Sequence, residues 1–129
     1  MCATILIVDD NAVQAATRQA ILQRAGYEVL AVLSPQLALE QLRNYGLDSA
    51  VDLIVTDHMM PGMSGAEFIA CVREFSPEIP VLVISGLAEA EDEYSRLGVT
   101  FRLKPLPPDK LLDCIHLLLQ ASLSCRSPA

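Results

Sequence analysis

The segment LIVTDHMMPGMSG, residues 53–65, joins a short apolar run to an acidic residue and then to a turn. Its first part, Leu53–Thr56, is rich in β-branched residues, which favour strands, and it stops directly before Asp57. The pair Pro61-Gly62 then predicts a turn. The segment therefore predicts a strand that presents a carboxylate at its C-terminal end.

Four other short apolar runs, rich in Val, Ile and Leu, recur along the chain. They are Thr4–Val8, Val29–Leu33, Val81–Ile84 and Val99–Leu103. Ile5–Val8 and Val81–Ile84 are continuously apolar, which is expected of strands covered on both faces in a parallel sheet. Helices are therefore expected on both faces of the sheet.

The segment between the first two runs has helical spacing. Asn11 is a residue type that caps helices, and Gly26 fits the stop. The apolar residues between them predict one buried helix face, formed by Val13, Ala16, Ala20 and Ile21.

Four more helices are predicted farther along the chain. Their apolar markers are Leu39 and Leu42 in the second, Phe68, Ile69 and Val72 in the third, Ala88, Tyr94 and Leu97 in the fourth, and Leu111, Leu112, Ile115, Leu118 and Leu119 in the fifth. The third ends near Ser76-Pro77, because proline discourages continuation. The fourth, Ala88–Leu97, is weak, has an acidic face expected in solvent, and closes at Gly98. The fifth follows Pro107-Pro108 with Asp109 as its cap.

Five strand–helix alternations with right-handed crossovers predict a three-layer α/β fold around a mostly parallel sheet. We expect one domain over residues 1–123 and a loose C-terminal tail over residues 124–129. In such sheets, ligands bind at the carboxyl ends of the strands, where the strand order reverses. That edge is therefore the place to look for a site.

Composition and charge exclude several function classes. The 129 residues are 52% hydrophobic and 19% charged, which is typical of a globular domain. A net charge of −7 opposes direct binding to nucleic acid or to an anionic membrane surface. No apolar run approaches the roughly 20 residues of a membrane span. The four cysteines form no CxxC pair, so we expect reduced thiols in the cytoplasm.

Polar residues follow four of the five apolar runs. They are Asp9 and Asp10 after the first run, Asp57 after the third, Ser85 after the fourth and Lys104 after the fifth. Taken singly, each is an ordinary loop residue or helix cap. Taken together, they predict one crevice at the carboxyl edge of the sheet.

Three carboxylates held close together repel one another unless a cation neutralises them, so a metal ion is implied. Oxygen ligands without His or Cys favour Mg²⁺, with Mn²⁺ as a substitute. Lys104 adds a positive charge for phosphate or for a carboxylate, and Ser85 offers a hydrogen bond to a phosphoryl oxygen. This set predicts phosphoryl transfer to or from a carboxylate, with Asp57 as nucleophile.

Four motifs carry a family resemblance: ILIVDD at residues 5–10, DHMMPGMSG at 57–65, VISG at 83–86 and KP at 104–105. Together they closely resemble the receiver domains of two-component response regulators, over about residues 4–122. The resemblance implies a flavodoxin-like (βα)5 sandwich with strand order 2-1-3-4-5. It also implies a signalling module that promotes only its own phosphorylation and dephosphorylation, and not an enzyme.

The resemblance assigns roles at the phosphorylation site. Asp57 would accept a phosphoryl group from a histidine kinase or phosphotransfer protein, and Lys104 would contact that group. Asp10, Asp57 and the main-chain carbonyl of Met59 would bind Mg²⁺, with Asp9 acting largely through water.

The resemblance also assigns a switch. The Ser85 hydroxyl would turn toward the phosphoryl group, and the Phe101 ring would follow it. Phe101 stands where tyrosine is frequent in the family, so a phenolic hydroxyl is missing from the switch. The Lys104-Pro105 bond is predicted to be cis.

Three residues within or next to the motifs raise separate expectations. Met59 and Leu87 are apolar, and the resemblance places them where water reaches the acyl phosphate, so we expect slow self-dephosphorylation. His58 is expected to point away from the Asp57 carboxylate, because side chains alternate along a strand, and to take no part in the chemistry.

Partners follow from the same resemblance: an upstream kinase or phosphotransfer protein, a downstream protein effector, and a second copy of the chain after phosphorylation. Neither nucleic acid nor membrane is expected. Because the chain carries no effector, output is expected from another protein, unless the chain is a piece of a longer regulator or hybrid kinase.

Two other functions stay open at the level of sequence. The first is a degenerate receiver that acts as a phosphorylation-independent interaction module. The second is an enzyme or cofactor carrier of similar fold. The second lacks its parts, because no acidic residue stands two positions beyond Asp57 and no phosphate-binding loop follows the first run.

Overall fold

The computed structural model describes residues 3–44 and 50–126, which form a five-stranded parallel sheet between helices. The strands are β1 (Thr4–Val8), β2 (Glu28–Val32), β3 (Leu53–Asp57), β4 (Val81–Ser85) and β5 (Thr100–Leu103). Their order is β2-β1-β3-β4-β5, and each neighbouring pair is parallel. The expected flavodoxin-like sheet is confirmed. Within the described residues, no helix has the length and apolar character needed to cross a membrane.

Within the described residues, four α-helices and one 3₁₀ helix accompany the strands. They are α1 (Ala12–Arg24), α2 (Pro35–Asn44), α3 (Gly65–Phe75), the 3₁₀ helix (Ala88–Tyr94) and α4 (Pro108–Arg126). Helices α1 and α4 cover one face of the sheet, and α2 and α3 cover the other. The three-layer architecture is therefore confirmed.

The core strands are buried on both faces. Along β1, Ile5 and Ile7 pack toward α1 and α4, while Leu6 and Val8 pack toward α2 and α3. All five residues of β3 and all five of β4 are buried as well. Continuous apolar runs are the consequence of this double burial, since no position of these strands faces water.

The predicted apolar face of α1 is wrong for three of its four residues. Val13 is 75% exposed and Ala16 and Ala20 are exposed, whereas Ile21 is half-buried and packs against the core. The buried residues are Ala15 and Leu22, and Arg18 lies between them at helical spacing. A charged residue within the buried stripe hides that stripe from a search for apolar periodicity.

The fourth helix differs from its prediction. It is a 3₁₀ helix of 7 residues, and Ala90 and Tyr94 are its buried members. Its acidic residues are exposed, as expected of a solvated face. Gly98 closes the segment in the left-handed conformation, with φ of +65°, which glycine adopts without strain.

The bounds of α4 also differ from expectation. The helix begins at Pro108, so Asp109 lies in its first turn instead of capping it. It continues to Arg126, into the segment 124–129 that was predicted to be a loose tail, while residues 127–129 lie outside the described part of the chain. Leu111 and Ile115 are buried along this helix and His116 is exposed.

Two of the four cysteines have side chains that the structure describes. Cys71 and Cys114 are free thiols and half-buried. Cys2 and the side chain of Cys125 lie outside the described residues.

Candidate functional site

The sheet brings four of the predicted site residues to its carboxyl edge. Asp57 and Ser85 are the last residues of β3 and β4, and Asp9 and Lys104 directly follow β1 and β5. Strands β1 and β3 are neighbours although β2 lies between them in sequence, so Asp9 and Asp57 flank the point where the strand order reverses.

Asp57 is held by two donors from different parts of the chain. Its Oδ1 accepts the main-chain N–H of His58 at 2.8 Å, and its Oδ2 accepts Lys104 Nζ at 2.8 Å. The Asp57 side chain is only 8% exposed and that of Lys104 is 30% exposed. Each carboxylate oxygen therefore has a donor, while a narrow opening to solvent remains.

Lys104 is fixed by main chain and side chain together. Its N–H donates to the Ser85 carbonyl at 2.7 Å, which ties the end of β5 to the end of β4. Its Nζ also donates to Gln14 Oε1 at 3.1 Å. The Lys104-Pro105 bond is cis, as predicted. The ammonium group thus reaches Asp57 from a residue whose main chain is bonded to the end of β4 and whose Nζ also contacts Gln14.

Asp9 is fully buried and paired with a cation that the sequence did not reveal. Its Oδ2 accepts Arg18 Nη1 at 3.0 Å, and its Oδ1 accepts the N–H of Asn11 at 2.9 Å. Burial raises the pKa of Asp9, and the nearby Asp57 charge raises it further, although Asn11, Arg18 and Lys104 act in the opposite direction.

Asp10 and Met59, the other predicted metal ligands, lie at the open side of the site. Asp10 is exposed, and the Met59 side chain is 64% exposed. Across residues 3–44 and 50–126, no three acidic, His or Cys side chains are grouped so as to hold a metal ion. Two of the three predicted carboxylates are paired with Arg18 and Lys104 instead.

The donor types still suit a hard cation. Mg²⁺ is usually held by one or two carboxylates, with water and phosphate oxygens completing its octahedron. Asp10, Asp57 and the Met59 carbonyl would be such a set, which would leave Asp9 to act through water. The residues present therefore fit a Mg²⁺ ion that is bound directly by fewer than three carboxylates.

The two predicted switch residues lie on neighbouring strands. Ser85 is fully buried, and its Oγ accepts the N–H of Leu87 at 3.0 Å. Phe101 is half-buried, and its ring centroid lies 5.7 Å from that of Tyr94 in a tilted arrangement. Ser85 and Phe101 are thus close to the site and to the 3₁₀ helix, respectively.

His58 makes a contact that the sequence did not predict. Its side chain is buried, and its Nδ1 lies 2.6 Å from the Tyr94 hydroxyl. Its Nε2 lies 3.5 Å from a carboxylate oxygen of Glu93. Tyr94, the one aromatic residue of an acidic segment, was the available signal for this contact, whereas no sequence pattern signalled Arg18.

Comparison with known proteins gives a consistent result. Residues 5–116 match the family model described as the response regulator receiver domain. The hydrogenase transcriptional regulatory protein HoxA of Cupriavidus necator is 37% identical over 124 residues, covering 92% of this chain and 24% of that protein. The two-component response regulator ORR6 of Oryza sativa is 39% identical over 110 residues, covering 81% of this chain and 64% of the relative. The chain thus spans less than two thirds of these relatives.

Solved structures agree with the sequence relatives. The chemotaxis protein CheY4 of Vibrio cholerae has a TM-score of 0.80 and 31% identity, covering 92% of this chain and 99% of that chain. A CheY-like receiver domain protein from Methanospirillum hungatei has a TM-score of 0.88 and 25% identity, covering 96% and 98%. Because the family model matches residues 5–116, which are most of the chain, the chain belongs to the response regulator receiver domain family.

Proposed function

We propose that the chain is a phosphoacceptor switch that takes a phosphoryl group onto Asp57 from a histidine kinase or phosphotransfer protein. The observation that carries this proposal is the 2.8 Å contact between Lys104 Nζ and Asp57 Oδ2 at the carboxyl edge of the sheet. A nearly buried carboxylate with a rigidly held cation beside it is suited to phosphoryl transfer, which depends on positioning and charge neutralisation.

In the transfer, a carboxylate oxygen of Asp57 forms a bond to phosphorus while the bond from phosphorus to the donor's imidazole nitrogen breaks. The imidazole keeps the electron pair of that bond and takes up a proton. Lys104 compensates the negative charge of the phosphoryl oxygens, and the His58 N–H holds the other oxygen of Asp57 in place.

Mg²⁺ would be held by Asp10, Asp57 and the Met59 carbonyl, with Asp9 acting through water. When bound, it would neutralise charge between these carboxylates and the incoming phosphoryl oxygens. The chain's own residues prepare the site by fixing Asp57 and limiting its exposure to water.

The switch we propose begins at Ser85. Its hydroxyl, which accepts the Leu87 N–H, would turn to donate to a phosphoryl oxygen, and the Phe101 ring would move inward beside Tyr94. These movements would alter the face formed by the 3₁₀ helix, β5 and α4. A downstream protein effector, or a second phosphorylated copy of the chain, would recognise that face through a shift between two conformations.

Intact-protein mass spectrometry with a small acyl-phosphate donor tests the phosphoacceptor assignment. We would compare the native chain, Asp57→Asn and Asp52→Asn, each with and without Mg²⁺. Asp52 is the matched control, because it lies just before the same strand and its carboxylate accepts the Thr4 N–H at 2.8 Å, at the opposite edge of the sheet.

The expected result is one Mg²⁺-dependent phosphoryl adduct on the native chain and on Asp52→Asn, and none on Asp57→Asn. A native chain that is folded yet forms no adduct would contradict the proposal and favour a phosphorylation-independent interaction module. An adduct that persists in Asp57→Asn would show that another residue is the acceptor.

A further inference from the structure

Arg18 occupies a position in α1 where burial is expected to favour an apolar residue. It lies on the buried stripe between Ala15 and Leu22, and its side chain is only 13% exposed. Its guanidinium reaches the carboxylate of Asp9, which is 0% exposed, at 3.0 Å. Burying a guanidinium is costly, so a paired carboxylate is needed to hold it there.

This ion pair gives each carboxylate oxygen of Asp9 a donor. Oδ2 accepts Arg18 Nη1 and Oδ1 accepts the N–H of Asn11. A metal ion that bound Asp9 directly would share the carboxylate with the guanidinium, whose positive charge would lie close to it and repel it. Moving Arg18 away would leave a mostly buried guanidinium without its anion, which is unfavourable.

Gln14 links this pair to the phosphorylation site. Its Oε1 accepts Lys104 Nζ at 3.1 Å and Arg18 Nη2 at 3.5 Å, so one amide oxygen bridges the two cations. Lys104 in turn contacts Asp57. The guanidinium is therefore part of the same network of charges as the phosphoacceptor.

We propose that Arg18 is a built-in counter-ion that holds Asp9 away from a divalent cation and lowers the affinity of the site for Mg²⁺. With three carboxylates and two cations, the charge of the set Asp9, Asp10, Asp57, Arg18 and Lys104 is −3 + 2 = −1. Without Arg18 it is −3 + 1 = −2. Because a divalent cation is attracted by negative charge, Arg18 opposes its binding.

This inference rests on the proposed function, since it assumes that Mg²⁺ binds at Asp10 and Asp57. Arg18 acts through Asp9 and does not touch the phosphoryl group, so it is a positioning residue. It sets the Mg²⁺ concentration at which the receiver becomes competent for phosphorylation.

Calorimetric titration with Mg²⁺ tests the inference without measuring phosphorylation. The variants are Arg18→Met, which keeps a long side chain without charge, and Arg24→Met. Arg24 is the matched control because it is the exposed last residue of the same helix and changes the net charge equally. It lies about 9 Å farther along α1, which is about one Debye length at physiological salt, so screening of its charge at the site is strong.

We expect Arg18→Met to bind Mg²⁺ about fivefold more tightly than the native chain or better, and Arg24→Met to differ from it by less than about twofold. Equal affinity in the native chain and Arg18→Met would overturn the inference while leaving the proposed function in place. Weaker binding by Arg18→Met would overturn it too, by showing that Arg18 prepares Asp9 for the metal. Failure of every variant to bind Mg²⁺ would remove the metal from the proposed function and the inference with it.

A double variant covers the case in which Arg18→Met alone does not fold, since removing one partner leaves buried Asp9 unpaired. Asp9→Asn with Arg18→Met replaces both charges, which is far less costly than removing one. The double variant is compared with Asp9→Asn alone, so that the two proteins differ only at residue 18. If the Arg18 charge opposes the metal, the double variant binds Mg²⁺ about fivefold more tightly than Asp9→Asn. Equal or weaker binding by the double variant would overturn the inference.

Discussion

The main chain at Asp57 packs closely against the start of α3, with very little free space between them. Gly65, the first residue of α3, is buried beneath the end of β3, and its N–H donates to the His58 carbonyl at 2.8 Å. A Cβ built there would lie 2.5 Å from the Asp57 carbonyl oxygen and 2.5 Å from the Tyr94 hydroxyl. The glycine of the turn after the phosphoacceptor is therefore required by its neighbours.

We expect Gly65→Ala to lower the free energy of unfolding by about 2 kcal/mol, because overpacking against a fixed backbone atom is costly. Urea unfolding followed by circular dichroism measures it. Gly86→Ala is the matched control, since a Cβ there meets nothing within 4 Å, and it should change stability by less than about 0.5 kcal/mol. Equal effects of the two variants would contradict the steric argument.

We expect the lifetime of the acyl phosphate to depend on apolar cover at the open side of the site. Met59 is 64% exposed and Leu87 is 45% exposed, so neither side chain is buried in the core. We expect Met59→Ala to shorten the aspartyl-phosphate lifetime severalfold, because an attacking water then reaches phosphorus more easily. Loss of the phosphoryl adduct over time is the measurement, and a longer lifetime in Met59→Ala would contradict this role.

Among single residues, the sequence predicted those whose positions follow from the ends of strands. Asp9, Asp57, Ser85 and Lys104 could be found because a parallel sheet brings its carboxyl ends to one edge. Arg18 could not be found in this way, because its role depends on the direction in which a helix face points. That direction is set by tertiary packing and not by residue type.

Among the elements, α3 is joined to its surroundings by one arginine. Arg73 donates to the carbonyls of Leu97 at 2.7 Å, Ser76 at 3.2 Å, Ile79 at 2.7 Å and Gly98 at 3.1 Å. Burial lowers the pKa of the guanidinium. The side chain thus links the end of α3 to the connection before β4 and to the one before β5.

Replacing Arg73 by Met should cost about 2 kcal/mol of stability, because several carbonyls lose a charged donor at once. Urea unfolding measures the loss. Arg96→Met provides a control with the same change of charge at an exposed position, and we expect it to be nearly neutral. A similar loss in both variants would mean that net charge matters and the four contacts do not.

The sequence predicted the positions of the strands and helices better than it predicted which helix faces are buried. All five strands were predicted to within a residue or two. Strands β1, β3 and β4 are almost continuously buried and leave a strong apolar signal, whereas β2 and β5 are more exposed and were found from their short apolar runs. The 3₁₀ helix was predicted as an ordinary helix, since only Ala90 and Tyr94 anchor it and the rest faces solvent. A short segment with few buried side chains carries little information about its hydrogen-bonding pattern.

At the level of the whole molecule, the ionisation of the buried Tyr94 side chain affects the free energy of unfolding. It is 3% exposed, and its pKa is raised above the ordinary 10.0, mainly by burial and further by the charges of Glu93 and Asp57. A group whose pKa is raised on folding contributes stability that is fully present below its unfolded pKa. That contribution is lost as pH rises through the folded pKa.

Tyr94→Phe should therefore be less stable than the native chain at neutral pH, by about 1 to 2 kcal/mol, because His58 Nδ1 loses its partner. The difference should shrink as pH rises above 10.0, where only the native chain has a Tyr94 to ionise on unfolding. Urea unfolding at several pH values between neutral and alkaline checks this. Parallel stability curves for the two proteins would contradict a buried, un-ionised Tyr94.

If the carboxyl edge of the sheet makes Asp57 a phosphoacceptor, as we propose, the phosphorylated residue can be identified chemically. Borohydride reduces an aspartyl phosphate to homoserine, so peptide sequencing by mass spectrometry identifies the residue that carried the phosphoryl group. After treatment with an acyl-phosphate donor and Mg²⁺, we expect homoserine at position 57 alone. Homoserine at Asp9, Asp10 or Asp52, or none despite a phosphoryl adduct, would contradict it.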